Sequence, residues 1–176
     1  MELGHGIDRR EFLVGAGAAL GGLLLPRALR ADERLALPEA TRRALESSGF
    51  VYISPLRSGG EESRCHGEVW YFFDEGDVVI VTGSDTWKAR AVANGRDRAR
   101  IWVGDYGRVR LGEESFRAGP SFEARVSAAG DRETFDRLLA SFGQKYPAEW
   151  DKWKPRFESG YGDGSRIVLR YRPVAA

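Results

Sequence analysis

Residues 78–100 read VVIVTGSDTWKARAVANGRDRAR, and the other elements of the chain are interpreted in relation to this stretch. The β-branched run Val78–Val81 predicts a strand that is buried on at least one face. Residues 82–85, TGSD, interrupt that pattern with a glycine and polar side chains. A short helix is then predicted over residues 86–93, so the stretch reads as strand, polar turn and helix.

The ends of this helix are marked by residues that favour caps. Ser84 or Asp85 is predicted as the N-cap, because a short side-chain oxygen can accept a hydrogen bond from a free backbone N–H. Asn94-Gly95 is predicted as the end, because both residues tolerate the left-handed backbone that terminates helices.

The same turn has the composition of a phosphate subsite. It offers the hydroxyls of Thr82 and Ser84, free backbone N–H groups, and the cations Lys88 and Arg90 within about one turn. It lacks a Walker-type or GxGxxG glycine pattern. A second interpretation therefore stays open, in which Ser84 and Asp85 only cap the helix and the two cations are solvated.

The N-terminal residues 1–31 are predicted to be an export signal rather than part of the fold. A charged start precedes Val14–Leu25, an apolar run too short and too rich in glycine for a membrane span, and small residues follow near Ala28 and Ala31. The pair Arg9-Arg10, followed by Glu-Phe-Leu, resembles the twin-arginine signal. This resemblance implies the twin-arginine export machinery as a partner and a periplasmic or extracytoplasmic location, with cleavage or retention of the signal as a membrane anchor both open.

The remaining elements are mostly strands. A helix is predicted within residues 32–49, and later helices are expected after the N-cap Asp131 and from Pro147. Strands are predicted at 50–56, 63–73, 99–105, 108–111, 116–128 and 165–171, with hairpin turns at 74–77 and 105–107. Because strands and helices do not alternate regularly, the pattern favours a mainly β (α+β) fold, a small antiparallel barrel of six or seven strands with short peripheral helices over residues 50–176.

Two segments resemble the flavin split-barrel superfamily, which includes the pyridoxamine 5'-phosphate oxidases. They are GEVWYFFDEGDVVIVTGSDTWKARAVANGRDRARIWV, residues 67–103, and FEARVSAAGDRETFDRLLASFGQKYP, residues 122–147. The resemblance implies a split barrel, a homodimer with cofactor sites at its interface, and FMN as the cofactor, with a deazaflavin or haem as alternatives.

The resemblance also implies roles for the residues of the turn. Thr82 and Ser84 would contact the cofactor phosphate, Lys88 would pair with it, and Arg90 would lie nearby. Trp87 stands where the oxidases often have an arginine, which removes one positive charge. Since the upstream basic motif of those oxidases is also missing, true pyridoxamine-phosphate oxidase activity is not expected.

Other candidates surround this turn. Trp70 and Tyr71 lie in the strand that would line the flavin ring, although plain core packing explains them as well. Trp102, on the following strand, has the same two interpretations. His66 is a candidate axial haem ligand or proton donor, and Cys65 a candidate nucleophile, each set against a purely structural role.

Composition limits the functions that remain. The 176 residues have 42% hydrophobic and 30% charged side chains, as in a soluble globular domain, and a formal net charge of +1 gives no basis for nucleic-acid binding. Cys65 is the single cysteine, so no internal disulfide forms. We therefore expect an exported flavin- or deazaflavin-dependent oxidoreductase for a small organic substrate. The alternatives are a non-catalytic flavin or haem carrier and a barrel that has lost its cofactor.

Overall fold

The computed structural model describes residues 35–109 and 114–175. The predicted export signal lies outside these residues. This described part contains four α-helices, seven strands and a 3₁₀ turn at Ser115–Ala118. The helices are α1 (Glu39–Ser47), α2 (Trp87–Ala93), α3 (Arg132–Lys145) and α4 (Pro147–Gly162). The strands are β1 (Val51–Pro55), β2 (Gly67–Val69), β3 (Phe72–Asp74), β4 (Asp77–Gly83), β5 (Arg98–Val103), β6 (Ser121–Ala128) and β7 (Arg166–Val174). None of the described helices is both long enough and apolar enough to cross a membrane.

The strands form one antiparallel sheet in the order β2-β1-β5-β6-β7-β4-β3. Its two edge strands, β2 and β3, follow each other in the chain and are separated only by Trp70 and Tyr71. The edges of the sheet are therefore joined by a two-residue link, and the sheet curls into a half-barrel. This confirms the predicted antiparallel barrel of six or seven strands with peripheral helices, and the number in the described residues is seven.

The side chains of β4 point alternately to the two faces of the sheet and contribute to two apolar cores. Val78 and Ile80 point into the barrel, where they pack in a cluster with Leu45 of α1 and Tyr171 of β7. Their neighbours Val79 and Val81 point outward, into a second cluster formed with α3 and α4. All four of these side chains are buried, because β4 is covered on both faces. A strand in this position has a continuous apolar sequence.

Helix α3 covers the outer face as its sequence predicts. Asp131 caps it by accepting a hydrogen bond from the backbone N–H of Thr134 at 2.7 Å. The side chains of Phe135, Leu138, Leu139 and Phe142 are buried on one side of the helix. The period of 3.6 residues places them in a stripe that packs on the sheet.

The prediction of one continuous strand over residues 63–73 is wrong. Only Gly67–Val69 pairs with β1, and Phe72–Asp74 pairs instead with β4 at the opposite edge. At the link, Trp70 packs with the outer cluster while Tyr71 is fully buried inside the barrel. The break arises because this segment leaves one edge of the curled sheet to join the other.

The prediction of a returning strand at 108–111 is also wrong for residues 108 and 109, which the structure describes and which lie outside any strand. The chain instead makes the 3₁₀ turn, and β6 begins only at Ser121. Phe116 of that turn stacks on Tyr52 with ring centroids 5.1 Å apart, and it is almost fully buried. The strand predicted over residues 116–128 therefore begins later than expected, because Phe116 is an apolar anchor within the turn.

Two buried carboxylates follow one another in the hairpin that joins β3 to β4. Asp74 accepts hydrogen bonds from Arg137 at 2.8 Å and from Arg170 at 2.7 Å. Asp77, which is fully buried, accepts a hydrogen bond from Arg170 at 3.2 Å. Arg170 therefore bridges both acids, and it ties the hairpin to β7 in the outer layer.

Candidate functional site

The polar turn after β4 is closed by Thr86, which corrects the predicted N-cap at Ser84 or Asp85. The Thr86 hydroxyl accepts from the Ala89 backbone N–H at 3.4 Å and donates to the Gly83 carbonyl at 2.8 Å. The helix ends at Asn94, as predicted, and Gly95 takes a positive φ of 74°. Thr86 lies closest to the first helical N–H groups, which is why the cap falls there rather than earlier.

Most polar groups of the predicted phosphate subsite are engaged within the protein. The Thr82 hydroxyl lies 3.1 Å from the Thr86 hydroxyl, and the Ser84 hydroxyl donates to the Ser165 carbonyl at 3.2 Å. The guanidinium of Arg90 donates to the Asp85 carbonyl at 2.7 Å. These contacts organise the turn, and they show how its backbone is held between β4, α2 and the start of β7.

Lys88 differs from its neighbours because it is buried without an anionic partner. Its residue is 8% exposed, and within residues 35–109 and 114–175 its ammonium has neither a hydrogen-bond nor an ion-pair partner. The Nζ atom lies 4.3 Å from the ring centroid of Trp87, a cation–π contact. Burial lowers the pKa of Lys88, and the charge of Glu68 opposes that shift. A desolvated cation of this kind is a place where an anion would be stabilised.

The start of β2 brings a second segment to Lys88. A side chain at Gly67 would lie 3.6 Å from Lys88 Nζ and 3.4 Å from the Trp87 ring. Glu68, the next residue, accepts a hydrogen bond from the Val109 backbone N–H at 3.0 Å. The structure therefore brings Lys88 and Trp87 of α2 against the strand that leads to Trp70 and Tyr71.

Trp70 and Tyr71 themselves point in opposite directions. Trp70 stacks on Tyr146 with ring centroids 4.2 Å apart and an interplanar angle of 4°. The Tyr71 hydroxyl lies within the barrel and is within hydrogen-bond distance of two backbone carbonyls, that of Leu45 at 2.6 Å and that of Ser48 at 2.9 Å. Of the predicted aromatic pair, only Trp70 lines an open space.

That space is a cavity of about 580 Å³ between the outer face of the sheet and α4. Its lining includes Trp70, Val81, Arg108, Lys152, Trp153 and Arg166. Glu68 also lines it, so one residue of β2 faces the cavity and acts electrostatically on Lys88. The sequence predicts Trp70 as a residue of the site. It does not indicate that Arg108 and Arg166 line the same cavity, because these two residues are distant in the chain.

A smaller groove of about 320 Å³ runs along α2. Trp87, Arg90, Arg96 and Cys65 line it. Cys65 is exposed as a free thiol. Trp87, which contacts the ammonium of Lys88, therefore also lines this groove.

His66 and Trp102 lie away from both spaces. His66 Nδ1 is 2.7 Å from the Ser54 hydroxyl, its Nε2 is 3.4 Å from Glu114, and its ring packs against Phe116. Trp102 lies edge-on to Phe116 with centroids 6.2 Å apart. Both His66 nitrogens thus have protein partners, which does not fit a free axial ligand for haem. Among the described residues, no group of three or more His, Cys, Asp or Glu side chains is placed to hold a metal ion.

Comparisons with known proteins identify the architecture. No family model and no curated protein matches the sequence. Solved structures do match. A conserved hypothetical protein from Mycobacterium tuberculosis is 18% identical with a TM-score of 0.54, and the alignment covers 82% of this chain and 84% of that chain. HutZ, the haem storage protein from Vibrio cholerae, is 10% identical with a TM-score of 0.53, covering 81% and 93% of the two chains.

The fold is split-barrel-like. A further match, at a TM-score of 0.47 and 11% identity, is a protein of the pyridoxinephosphate oxidase family from Clostridium acetobutylicum, with 76% of this chain and 80% of that chain covered. The likeness to the first two of these structures, at 18% and 10% identity, shows the fold alone, and the ligand has to be argued from the site itself.

Proposed function

We propose that this split-barrel protein binds a planar cofactor with an anionic group, FMN in the first instance, and uses it as an oxidoreductase for a small organic substrate. We also propose that it is exported and acts as a homodimer. A bound flavin would supply hydride transfer. The protein would bind the cofactor, orient it and exclude water.

One observation carries this proposal, namely that the residue Lys88 is largely buried while its ammonium has no hydrogen-bond or ion-pair partner among the described residues. Burial of a cation is unfavourable, and the charge of Glu68 offsets this cost only in part, so a ligand that brings a negative charge would stabilise the ammonium. The hydroxyl-bearing turn 82–86 leads directly from β4 into α2, the helix that carries Lys88, and this order of elements supports an anionic group such as a phosphate monoester. The ring centroid of Trp87 lies 4.3 Å from Lys88 Nζ, and this cation–π contact would stabilise the positive charge in the absence of a ligand.

A second candidate function is the binding or storage of haem. HutZ, which has a comparable fold, is a haem storage protein, and a haem propionate would pair with Lys88 as a phosphate would. His66 does not fit as the axial ligand, since Ser54 and Glu114 occupy its two ring nitrogens. A haem protein of this sequence would therefore need another residue on the iron.

The test is to identify the ligand that the purified protein carries. Full-length protein is denatured, and the released material is examined by absorbance and mass spectrometry. Flavin bands with the mass of FMN support the first candidate, a shorter-wavelength band indicates a deazaflavin, and a Soret band indicates haem. Colourless protein that also fails to take up added FMN, deazaflavin or haem would refute cofactor binding.

The role of Lys88 is tested in the same assay with a matched pair of variants. Lys88→Ala is expected to reduce FMN affinity by about 10- to 100-fold, the range for one charge-assisted contact. Lys154→Ala, an exposed lysine on α4 that pairs with Glu158 at 4.0 Å, should bind FMN as the wild type does. Equal FMN affinity in both variants would show that the anionic group binds elsewhere.

A further inference from the structure

We infer that the cavity beneath α4 is a separate binding site for a small planar aromatic anion. Lys88 does not line this cavity, so the inference goes beyond the cofactor proposed above. It stands on three features of the described residues, which are the aromatic walls, the unpaired arginines and the glycine that makes room for one of them.

The walls of the cavity are aromatic and held rigidly. Trp70 has one face covered by Tyr146, and it meets Phe142, Trp153 and Phe157 at steep angles with centroids 5.8–6.1 Å away. Trp153 and Phe157 lie one helical turn apart on α4 and stack at 5.7 Å. Such a lining favours a flat ring, since aromatic rings gain from both stacked and edge-on contacts.

The charge of the cavity favours an anion. Lys152 is paired with Glu149 at 3.3 Å, so these two lining charges compensate each other. Arg108 and Arg166 have no ion-pair or side-chain hydrogen-bond partner among residues 35–109 and 114–175. Glu68, the remaining acid, accepts the Val109 N–H at 3.0 Å, and its single charge leaves one arginine uncompensated.

Arg166 is positioned rather than loosely solvated. A side chain at Gly160 would lie 2.7 Å from the Cγ and Cδ atoms of Arg166, so the glycine leaves room for the arginine to lie along α4. Its guanidinium comes within 5.3 Å of the Phe157 ring centroid and 6.0 Å of that of Trp153. The charge is therefore held beside the aromatic walls, where a carboxylate on an aromatic ring would meet it.

The size of the cavity agrees with this ligand class. About 580 Å³ is within the range of small-molecule pockets. The combination of flat apolar walls and a fixed guanidinium selects an aromatic carboxylate or a similar monoanion over a neutral ring or an aliphatic acid.

The test compares two probes of the same shape, 1-naphthoate and its neutral amide, 1-naphthamide. Binding to the full chain is measured by calorimetry and by quenching of tryptophan fluorescence. We expect naphthoate to bind at least about tenfold more tightly than naphthamide, and Arg166→Gln to reduce this preference to less than about threefold. Trp153→Leu should weaken both probes by a similar factor.

Two control variants define the site. Lys154→Gln removes a lysine from α4 outside the cavity and should leave both affinities unchanged. Lys88→Ala should also leave them unchanged, and this separates the cavity from the cofactor site. Absence of saturable binding, equal affinity for the two probes, an unchanged preference in correctly folded Arg166→Gln, or loss of naphthoate binding in Lys88→Ala would each overturn the inference.

Discussion

The backbone N–H of Tyr71 donates a hydrogen bond to the hydroxyl of Tyr146 across 3.1 Å, although the two residues are 75 positions apart. This contact lies at the link between β2 and β3, where the chain leaves one edge of the sheet for the other. The Tyr146 hydroxyl in turn donates to the Gly49 carbonyl at 2.8 Å. One phenol thus satisfies the Tyr71 N–H, which the interrupted strand leaves without a ladder partner, and a carbonyl of the segment between α1 and β1.

Tyr146→Phe is expected to destabilise the protein by about 1–3 kcal/mol, because it leaves buried backbone groups without partners. Urea denaturation measures the change. Tyr161→Phe serves as the control, since the Tyr161 hydroxyl donates to the Gly130 carbonyl at 2.8 Å in an exposed position where water can replace it. An equally small loss in both variants would contradict the role assigned to Tyr146.

Arg170→Met should be the more severe change, with a loss of about 3–5 kcal/mol, because it removes the shared cation from two buried carboxylates. Arg132→Met, in which an exposed pair with Asp136 at 2.8 Å is lost, should cost less than about 0.5 kcal/mol. Thermal or urea unfolding of the two variants checks the difference. A loss below about 1 kcal/mol for Arg170→Met would mean that other groups compensate Asp74 and Asp77.

Lys145 predicts a pH dependence of stability. Its ammonium lies 3.4 Å from the Tyr71 ring centroid, and burial lowers the pKa of Lys145 to about 8, opposed by the charge of Asp105. Since the unfolded chain holds this proton up to about pH 10.4, the unfolded state binds more protons above pH 8 and stability rises with pH in that window.

The measurement is the free energy of unfolding of wild type and Lys145→Met between pH 7 and pH 10. The wild type should gain about 1–2 kcal/mol relative to the variant across this range, after allowance for solvent screening of a half-buried group. Parallel curves for the two proteins would show that Lys145 is solvated in the folded state.

Lys88→Met should have opposite effects on stability and on binding. Without ligand, the variant is expected to be as stable as the wild type or more stable by about 1–2 kcal/mol, because it removes a desolvated charge. With FMN added, the wild type should gain more thermal stability than the variant. Marked destabilisation of ligand-free Lys88→Met would indicate that the lysine is structural.

Much of the fold is predictable because its signals are local. The β-branched run of β4, the Asp131 cap and the spacing of Phe135 and Leu138 each specify an element through a few neighbouring residues. The position of Lys88 on a short helix after β4 follows from the same stretch. Its burial does not, since that depends on the packing of Trp87 and Gly67 around it.

The errors and omissions share a different cause. Residues 63–73 read as one strand because the pattern of apolar side chains continues through Trp70 and Tyr71, and only the closure of the sheet divides it. The cavity beneath α4 could not be predicted from the sequence for a similar reason. Arg108 follows β5 and Arg166 begins β7, and only the three-dimensional arrangement of the sheet and α4 places them together.

The two-residue link between β2 and β3 also bears on self-association. Each edge strand of the described sheet is only three residues long, so neither offers an extended row of unpaired backbone groups on which another molecule could add a strand. A sheet whose two borders belong to one short, bent segment is a poor template for fibril growth. Substitutions that straighten the link at Trp70 or Tyr71 should therefore favour aggregation before they abolish folding.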